Sequence, residues 1–383
     1  MPYITEERRM IQEQAREFTL NEVLPVANKL DPEKGDIPMD LRDKMAELGY
    51  FGILIPEQYG GLGLGCFEYC LVTEELSRGW MSVASLIARG NLLIGSHMMS
   101  EDQRKKYLPR MAKGEFLGAF SMSEPNAGSD ISNISCRARK DGTGYLISGN
   151  KYWCTFADGA DFLIVIARTS DAPPGKRHLG LSMFFVEKKR GTLPKGVSGA
   201  PIPKIGYFGW KTYELAFDNF RVEAADMIGE EGQAFYYATS GLETARAHTA
   251  ARAIGLAQGA LDDSIRYSGE RRQFDRSISE FQAIRFKIAE MATQIEAARQ
   301  LNYFVCEQID TGQRCDKEAS MAKLFASEMA ERVCSAAIQV HGGYGYVADF
   351  PVERIYRDVR VCQIYEGSSD IQRLVISRAI AAE

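Results

Sequence analysis

The chain has 383 residues, of which 45% are hydrophobic and 25% charged, and its formal net charge is −5. This balance is typical of a globular enzyme with two or three packed regions and excludes a disordered or fibrous chain. Because the charge is mildly acidic and the two signs are interleaved, the composition also argues against a nucleic-acid-binding protein.

The number and spacing of cysteines and histidines indicate the redox compartment and whether a metal site is present. The eight cysteines include no CxxC pair, and the four histidines are too scattered for an evident metal site. We therefore expect buried free thiols, no bound metal, and a cytoplasmic location, or the mitochondrial matrix in a eukaryote. The start, MPYITEERRMIQEQ, has no signal-peptide core, and no run of 18 apolar residues predicts membrane insertion.

Residues 1–117 are predicted to form a helical domain. Helical patterns cover residues 8–24, 39–48, 68–77 and 81–99. Four glycines from Gly60 to Gly65 interrupt them. Because this run follows Pro56 rather than a strand and lacks the GK[ST] ending of a phosphate loop, we interpret it as a turn.

Residues 118–232 are predicted to form a β-domain. Short apolar or alternating runs predict strands at 145–148, 162–167, 181–186 and 213–217. The sequence DGTG at 141–144 predicts a hairpin connection, and the Pro/Gly-rich residues 191–206 predict a long surface excursion. Since no long helix alternates with these strands, we predict antiparallel pairing.

Residues 233–383 return to helical periodicity. Four apolar residues from Ala250 to Leu261 share one helix face, and a second apolar face begins at Phe281. A third helix over 317–340 is expected to end at Gly342, where glycine can adopt the left-handed conformation. The predicted fold class is therefore α+β, with an N-terminal helical domain, a middle antiparallel β-domain and a C-terminal four-helix-bundle domain.

A polar loop, FSMSEPNAGSD at residues 120–130, joins the first two domains. Its peptide N–H groups and the hydroxyls of Ser121, Ser123 and Ser129 can donate to an anion, and Gly128 permits close approach of the backbone. An ordinary Ser/Asn/Gly-rich turn is the alternative that this segment alone leaves open.

Glu366 is the candidate acid of the C-terminal region. Its neighbours Ile364, Tyr365 and Gly367 form a compact, mostly apolar surrounding that is expected to desolvate the carboxylate and raise its pKa toward working pH. A solvated acid on a turn is the alternative.

Both segments resemble signature sequences of the acyl-CoA dehydrogenase family. The matching stretches are SMSEPNAGSD at 121–130, QVHGGYGYVADFPVERIYRDVR at 339–360 and YEGSSDIQR at 365–373. Their order, their spacing and the helix–β–helix layout follow the family from end to end. The resemblance implies α,β-dehydrogenation of an acyl-CoA thioester to the trans-2-enoyl-CoA in fatty or organic acid degradation, with electrons passed to electron-transfer flavoprotein.

The resemblance also implies FAD, held between the β-domain and the C-terminal helices. The residues expected to contact it are Ser121, Ser123, Ser129, Trp153, Thr155, Arg271, Phe274, Gln339, Gly343, Ser368 and Asp370. Of these, Arg271, Phe274 and Gln339 match positions that reach the FAD of a neighbouring subunit in a homotetramer built from two dimers. Trp153 matches the tryptophan beside the flavin, although a buried tryptophan that packs the β-domain is the alternative.

Glu366 stands where many family members carry the catalytic base. Other branches place the base at the position of Ala245, which cannot serve. By the resemblance, Glu366 removes the α-proton, its own peptide N–H helps to hold the thioester oxygen, and the β-hydrogen leaves as hydride to the flavin. The residues expected to contact the substrate are Arg246, Glu243, Tyr365, Gly367 and Arg89.

The acyl group and the overall reaction leave alternatives open. Arg78 or Arg89 is a candidate partner for a second carboxylate on the substrate, as in the glutaryl-type branch, and a surface or structural arginine is the alternative for each. Asp370 and Ser368 replace a Gln and a Thr of well-known straight-chain members, which is expected to change the fine geometry of cofactor binding. An oxidase, another flavin-dependent elimination on this fold and a non-catalytic helical scaffold are the other functions considered.

Overall fold

The computed structural model describes residues 3–91 and 98–382. In these residues the helices α1 to α13 are, in chain order, Glu6–Phe18, Leu24–Leu30, Met39–Glu47, Cys66–Gly79, Met81–Leu86, Ala88–Asn91, Glu101–Ala112, Ala234–Ser240, Leu242–Glu270, Gln282–Asp310, Asp316–His341, Pro351–Val359 and Ser369–Ala382. The strands β1 to β10 are Gly118–Ser121, Arg137–Asp141, Gly144–Thr155, Phe162–Arg168, Leu181–Glu187, Val197–Pro201, Thr212–Glu223, Met227–Ile228, Arg272–Gln273 and Arg276–Ser277.

The helix α4 forms the centre of the N-terminal region and is buried along almost its whole length. Asp310, at the end of α10, accepts from the N–H groups of Cys66 over 2.6 Å and Phe67 over 2.9 Å. These bonds satisfy donors in the first turn of α4, which have no partner within the helix. Gly65 leaves space for that carboxylate, since a Cβ there would lie 2.6 Å from it. The start of α4 is therefore stabilised by a side chain of α10, which joins the N-terminal and C-terminal regions.

Two of the predicted N-terminal helices differ in detail. The helix predicted over 8–24 ends at Phe18, and the chain continues through the π-helical segment Thr19–Val23 into α2. Pro25 in the first turn of α2 has no N–H to donate, so the regular pattern cannot run through it. Of the helix predicted over 81–99, α5 and α6 cover all but Ile87 of residues 81–91, whereas residues 92–97 lie outside the described part.

The glycine-rich run at residues 60–65 is a turn, as predicted. Gly60 has a left-handed backbone with φ of 82°, and the N–H of Leu62 donates to the carbonyl of Gly52 over 2.8 Å. The run folds back on its own neighbourhood, which identifies it as a local turn.

The strands β1 to β8 form one eight-stranded sheet in the order β6-β7-β3-β2-β4-β5-β8, with β1 beside β4. The α+β class and the hairpin between β2 and β3 are confirmed. Two pairings differ from the antiparallel prediction, because β1 and the first residue of β2 run parallel to β4. The residues between β1 and β4 comprise a long loop and the β2–β3 hairpin, and a connection of this length allows the parallel direction. The excursion at residues 191–206 also contains β6, an edge strand paired with β7.

The C-terminal region is a bundle in which α9 packs between α4 and α11. Close approach of α9 to α4 requires Gly255, because a Cβ there would lie 2.1 Å from the carbonyl oxygen of Glu74. The third predicted helix is confirmed as α11, which ends where Gly342 takes a φ of 59°. Among the described residues no helix has both the length and the apolar character that crossing a bilayer requires.

The eight cysteines are all buried and free, as predicted. The Sγ atoms of Cys66, Cys70 and Cys306 lie within 4.8 Å of one another, which the sequence spacing did not indicate. These three thiols lie in the core between α4 and α10.

Candidate active site

Glu366 lies at a sharp turn that leads into α13. Its φ is 52° and that of Gly367 is 87°, both in the left-handed region. A non-glycine residue held there costs on the order of 1–3 kcal/mol, and such strain often occurs at functional sites. The Glu366 side chain is 36% exposed although protein atoms surround it on most sides, so its carboxylate faces a cleft.

Two side chains of α9 bind the Glu366 carboxylate. Thr249 Oγ1 donates to Oε2 over 2.5 Å, and Arg252 Nη2 donates to Oε1 over 2.7 Å. The expected rise in pKa is therefore wrong. Burial alone raises the pKa of Glu366, but the charge of Arg252 and the two hydrogen bonds outweigh burial and lower it. The carboxylate is ionised at neutral pH and can accept a proton.

Arg252 is 2% exposed and connects several residues around Glu366. It donates to Ser85 Oγ and to Thr249 Oγ1, each over 2.9 Å, in addition to Glu366. Its guanidinium lies 4.7 Å above the ring of Tyr365. Burial alone lowers the pKa of Arg252, but the charge of Glu366 raises it overall. Both partners are therefore charged.

Of the peptide groups next to the Glu366 side chain, the Gly367 carbonyl is held by hydrogen bonds, whereas among the described residues the Glu366 N–H is not. Lys323 Nζ and Gln372 Nε2 donate to the carbonyl of Gly367, over 2.7 and 2.9 Å. Burial lowers the pKa of Lys323 to about 8. Within residues 3–91 and 98–382, no acceptor takes a hydrogen bond from the peptide N–H of Glu366. That N–H is therefore available to a ligand beside the carboxylate.

An aromatic wall extends from Glu366 to the β-domain. The Tyr207 ring lies 6.0 Å from that of Tyr365 and 5.3 Å from that of Trp210. The guanidinium of Arg89 lies 4.9 Å above the Trp210 ring. Tyr207 has a left-handed φ of 61° and is held by its N–H, which donates to Asp358 Oδ1 over 2.5 Å. Arg89 therefore lies at the far end of this wall from Glu366, close enough for the charges of Glu366 and Arg252 to act on it.

The two arginines considered for a substrate carboxylate differ in their partners. Arg78 forms ion pairs with Glu75, over 3.2 Å, and with Asp262, so it is a structural arginine between α4 and α9. Arg89 makes no hydrogen bond or ion pair within the described residues, and its Nε is buried without a partner. Burial lowers the pKa of Arg89.

The polar loop after β1 lies beside the end of β3. The N–H of Tyr152 donates to the carbonyl of Ser123 over 2.8 Å, which aligns the loop with Trp153. Trp153 has a φ of 64° and is 57% exposed, so the alternative of a buried tryptophan is wrong. Thr155 Oγ1 lies 3.0 Å from Thr212 Oγ1. This face therefore presents the Trp153 ring to solvent, with the half-buried Thr155 nearby.

The serines of that loop fall into two groups. Ser129 is exposed and Ser123 is half-buried, and a Cβ at Gly128 would meet no atom within 4 Å. Ser121, in contrast, is fully buried, and its hydroxyl has no partner in the part of the chain that the structure describes. Ser123, Gly128 and Ser129 thus form the open part of the loop.

Ser368 and Asp370 follow Glu366 into α13. The N–H of Ile371 donates to Ser368 Oγ over 3.4 Å at the start of the helix. Asp370 is 92% exposed and lies 3.3 Å from Arg373. Ser368 is therefore adjacent to the strained turn, and Asp370 points to solvent.

The remaining predicted FAD contacts lie at the other end of α9. These are Arg271, Phe274, Gln339 and Gly343. Arg271 lies 5.3 Å above the Tyr344 ring, which brings the hairpin of β9 and β10 beside the end of α11. Phe274 is 86% exposed. From Arg252 to Glu270 the helix rises by about 27 Å. The structure therefore separates this group from Glu366 of the same chain.

Arg246 and Glu243, the predicted substrate contacts of α9, lie where α9 meets α11. Glu243 Oε1 accepts from the N–H of Cys315 over 2.8 Å. Arg246 is 5% exposed, and its Nη1 is 3.6 Å from the Asp316 carboxylate. Its Nε has no partner among the described residues.

Sequence reasoning missed Thr249, Arg252, Lys323 and Tyr207. Thr249 and Arg252 follow Ala245 by four and seven residues, which places all three on one helix face. An arginine at such a core-facing position is rare unless it is paired, and this was the available signal. Tyr207 lies in an irregular segment where no periodicity applies.

Comparisons with known proteins cover the whole fold. Family models described as the N-terminal, middle and C-terminal domains of acyl-CoA dehydrogenase match residues 5–115, 119–220 and 232–381. A 3-(aryl)acrylate reductase of Clostridium sporogenes is 39% identical over 379 residues, 98% of each chain. An acyl-CoA dehydrogenase of Bacillus subtilis is 40% identical over 380 residues, again 98% of each.

Solved structures agree with the family models. The butyryl-CoA dehydrogenase of Megasphaera elsdenii superposes with a TM-score of 0.92 at 34% identity, covering 99% of both chains. A chain of the structure described as electron transferring flavoprotein of Acidaminococcus fermentans gives a TM-score of 0.93 at 38% identity, also covering 99% of both.

Proposed function

Because the chain belongs to the acyl-CoA dehydrogenase family, we propose that Glu366 is the base that removes the α-proton of its acyl-CoA substrate. The enzyme is an FAD-dependent oxidoreductase that acts on the CH–CH bond of a CoA thioester. The observation that carries the assignment of the base is that one residue, at a strained turn facing the cleft, combines an ionised carboxylate with an uncommitted peptide N–H.

The chemistry requires both groups of Glu366. An α C–H of a thioester is a very weak acid, so proton removal needs a positioned base and a donor at the thioester oxygen, where negative charge develops. The carboxylate serves as the base and the peptide N–H as the donor. Lys323 and Gln372 hold the Gly367 carbonyl and thereby fix the orientation of that peptide chain. FAD, when bound, accepts the β-hydrogen as hydride.

The open face of the β-domain fits FAD. An exposed Trp153 offers a flat apolar surface for a flavin ring, and Ser123 and Thr155 offer hydroxyl donors beside it. The exposed loop at Gly128 and Ser129 lets a pyrophosphate approach backbone N–H groups closely. Ser368 follows Glu366 by two residues, at the start of α13. Ser121 is buried and is the weakest of the proposed contacts.

We propose a homotetramer, a dimer of dimers, in which Arg271, Phe274, Gln339 and Gly343 contact the FAD of a neighbouring subunit. Two features support this proposal. The group lies about 27 Å along α9 from the residues that bind Glu366, and Phe274 is 86% exposed although it is a large apolar side chain. At the hairpin tip, this ring is free to pack against a neighbouring subunit.

The electron acceptor is proposed to be electron-transfer flavoprotein. The similarity to a chain in the electron transferring flavoprotein structure of Acidaminococcus fermentans supports it. Arg246 and Glu243 are proposed to contact the substrate near the start of α9, and Tyr365, Gly367 and Arg89 to contact its acyl part. The relatives' own names refer to different acyl groups, so similarity alone leaves the acyl group open.

We further propose division into domains at 1–117, 118–232 and 233–383. A cytoplasmic location, or the matrix in a eukaryote, is proposed because all eight cysteines are free. Limited proteolysis and cell fractionation test these two proposals.

The test of the base uses flavin bleaching under anaerobic conditions. The FAD-loaded enzyme and its Glu366→Gln variant are mixed with straight, branched, aryl and dicarboxylic acyl-CoAs. One thioester is expected to bleach the wild-type flavin, about 10²- to 10⁴-fold faster than that of the variant. Glu328→Gln, a surface acid paired with Arg373, is the control and should react like wild type. Equal rates in wild type and Glu366→Gln would remove Glu366 as the base.

A further inference from the structure

The cleft beside Glu366 contains more positive than negative charge. Arg89 and Arg252 border it, and the negative charge of Glu366 acts on both arginines. Among the described residues, Tyr207 and Cys154 also lie near Arg89, and burial raises the pKa of each, which keeps both neutral at pH 7. Among the described residues, two guanidinium ions therefore share one carboxylate, and Lys323 adds a third positive charge near it.

Arg89 is the cation without a partner. Trp210 covers one face of its guanidinium, and no acceptor or acid of residues 3–91 and 98–382 bonds to it. A largely enclosed charge without a partner is costly, and proteins rarely keep one without a ligand or counter-ion. Arg78, in contrast, is neutralised by Glu75 and Asp262.

Arg252 presents a second difficulty, because it binds the proposed base. A carboxylate that accepts from Arg252 and Thr249 is held toward α9 and has a lowered pKa. Proton removal requires that the carboxylate turns toward the substrate. Among the described residues, Arg252 then keeps only the neutral acceptors Ser85 and Thr249, and its guanidinium, which is 2% exposed, needs another anion to balance its charge.

One ligand group resolves both difficulties. We propose, resting on the proposed function, that the substrate's acyl chain carries its own carboxylate, which binds between Arg89 and Arg252 and replaces Glu366 on Arg252. The exchange leaves two cations with two anions. It releases Glu366 toward the α-carbon only when the correct acyl group is present. Arg252 is a specificity-determining residue in this arrangement, and Arg89 is the anchor for the carboxylate.

The test uses unreactive CoA thioethers in matched pairs. Members of a pair have the same chain length and end in a carboxylate or in a methyl group, over a short series of lengths. Affinity is measured by calorimetry on FAD-loaded enzyme. The carboxylate member of the best pair is expected to bind the wild type about 10- to 100-fold more tightly. Arg89→Met should lose most of this preference, and Arg78→Met should keep it.

A second variant tests the exchange itself. In Glu366→Gln, the charged competitor for Arg252 is removed, so the carboxylate thioether should bind more tightly than to wild type while the methyl thioether is unchanged. Circular dichroism and flavin content check folding, and Arg89→Lys, which keeps a charge, should restore part of the preference. Equal binding of both thioethers by the wild type, at every length, overturns the inference.

Failure of the proposed function gives a different result. In that case the carboxylate preference persists, but no acyl-CoA bleaches the flavin. Bleaching by an uncharged acyl-CoA at the rate of its carboxylated isostere instead preserves the dehydrogenase and removes the carboxylate site.

Discussion

Arg252 Nη2 lies 2.7 Å from Glu366 Oε1, so a buried guanidinium holds the carboxylate that is proposed to act as the base. This contact joins α9 to the turn before α13, across 114 positions of sequence. It opposes the effect of burial on the carboxylate and thereby sets its protonation. The reactivity of Glu366 therefore depends on a residue outside the motif that contains it.

Substitution Arg252→Met should shift the acid limb of the pH profile upward. Burial raises the pKa of Glu366 and Arg252 lowers it, so burial dominates once the guanidinium is gone. The limb of kcat/KM that reports free Glu366 should lie below the ordinary range of a glutamate in wild type and move to higher pH in the variant. Stopped-flow bleaching across pH measures both. Lys323, which also lowers the pKa of Glu366, is unchanged in the comparison.

Thr249→Val provides the graded control for that profile. It removes one hydrogen bond to Glu366 but leaves Arg252 in place, so the limb should move in the same direction by less. An acid limb at the same pH in all three proteins would contradict the role given to the ion pair.

Substitution Gly367→Ala should reduce activity more than stability alone explains. Gly367 has a φ of 87°, and a Cβ there would lie 2.4 Å from Gln372 Nε2, which holds its carbonyl. The left-handed backbone costs about 1–2 kcal/mol for a residue with a Cβ, and the added Cβ displaces the Gln372 amide that holds the Gly367 carbonyl beside Glu366. We expect a fall in kcat at least tenfold, by the loss of about 1.4 kcal/mol of transition-state stabilisation.

Gly60→Ala is the matched control for this substitution. Gly60 has a φ of 82° and open space where the Cβ would be added, so it carries the same backbone cost without the clash. It should lower the thermal midpoint but leave kcat unchanged. If both variants lose activity equally, the turn at Gly367 has no special part in catalysis.

The parts of this structure that follow local pattern were predictable. The end of α11 at Gly342 and the hairpin between β2 and β3 depend on neighbouring residues, and both agree with prediction. The parallel pairing of β1 with β4 depends on residues more than 40 positions apart, and no local pattern indicates it. The interruption of the first helix follows from a single proline whose effect the apolar periodicity concealed.

The same limit explains why the predicted rise in the pKa of Glu366 is wrong. Its sequence neighbours are mostly apolar and correctly indicated desolvation, but its charged partner lies on a different helix. Arg252 looked like one arginine in a long helix, and only packing places it against the cleft. Arg89 and Arg78 were indistinguishable in sequence, since the partners of Arg78 come from α4 and α9.

Substitution Lys151→Met should destabilise the β-domain. Lys151 is fully buried, and its Nζ lies 2.9 Å from Glu124 Oε1. Burial alone raises the pKa of Glu124, but Lys151 and the hydrogen bonds from Ser135 and Cys136 lower it. Removing Lys151 leaves an uncompensated buried carboxylate, which costs about 3–5 kcal/mol. Urea denaturation followed by circular dichroism measures the loss.

The pH dependence of that loss identifies its cause. Since the folded pKa of Glu124 is below its unfolded value, the contribution of this acid is fully present above pH 4.5 and declines as pH falls through the folded pKa. The difference between wild type and Lys151→Met should therefore shrink in acid. Lys44→Met, which removes an exposed partner of Glu22, should change little at any pH. A pH-independent difference would point to lost packing instead.

Hybrid oligomers should recover activity that their parent chains lack. Glu366→Gln removes the proposed base, and Arg271→Ala removes a residue proposed to serve the neighbouring subunit's FAD. Because α9 separates the two positions by about 27 Å, a site that uses both must combine two chains.

Co-expression of the two variants with different tags, followed by tandem purification, gives hybrids in which one site has an intact Glu366 and an intact Arg271. Part of the wild-type bleaching rate should return. The control hybrid pairs Glu366→Gln with Arg252→Met, two residues in contact within one chain, and should bleach no faster than its Arg252→Met chains alone account for, because neither of its sites is intact. Hybrids of the first kind that remain as inactive as their parents would place Arg271 outside the neighbour's site.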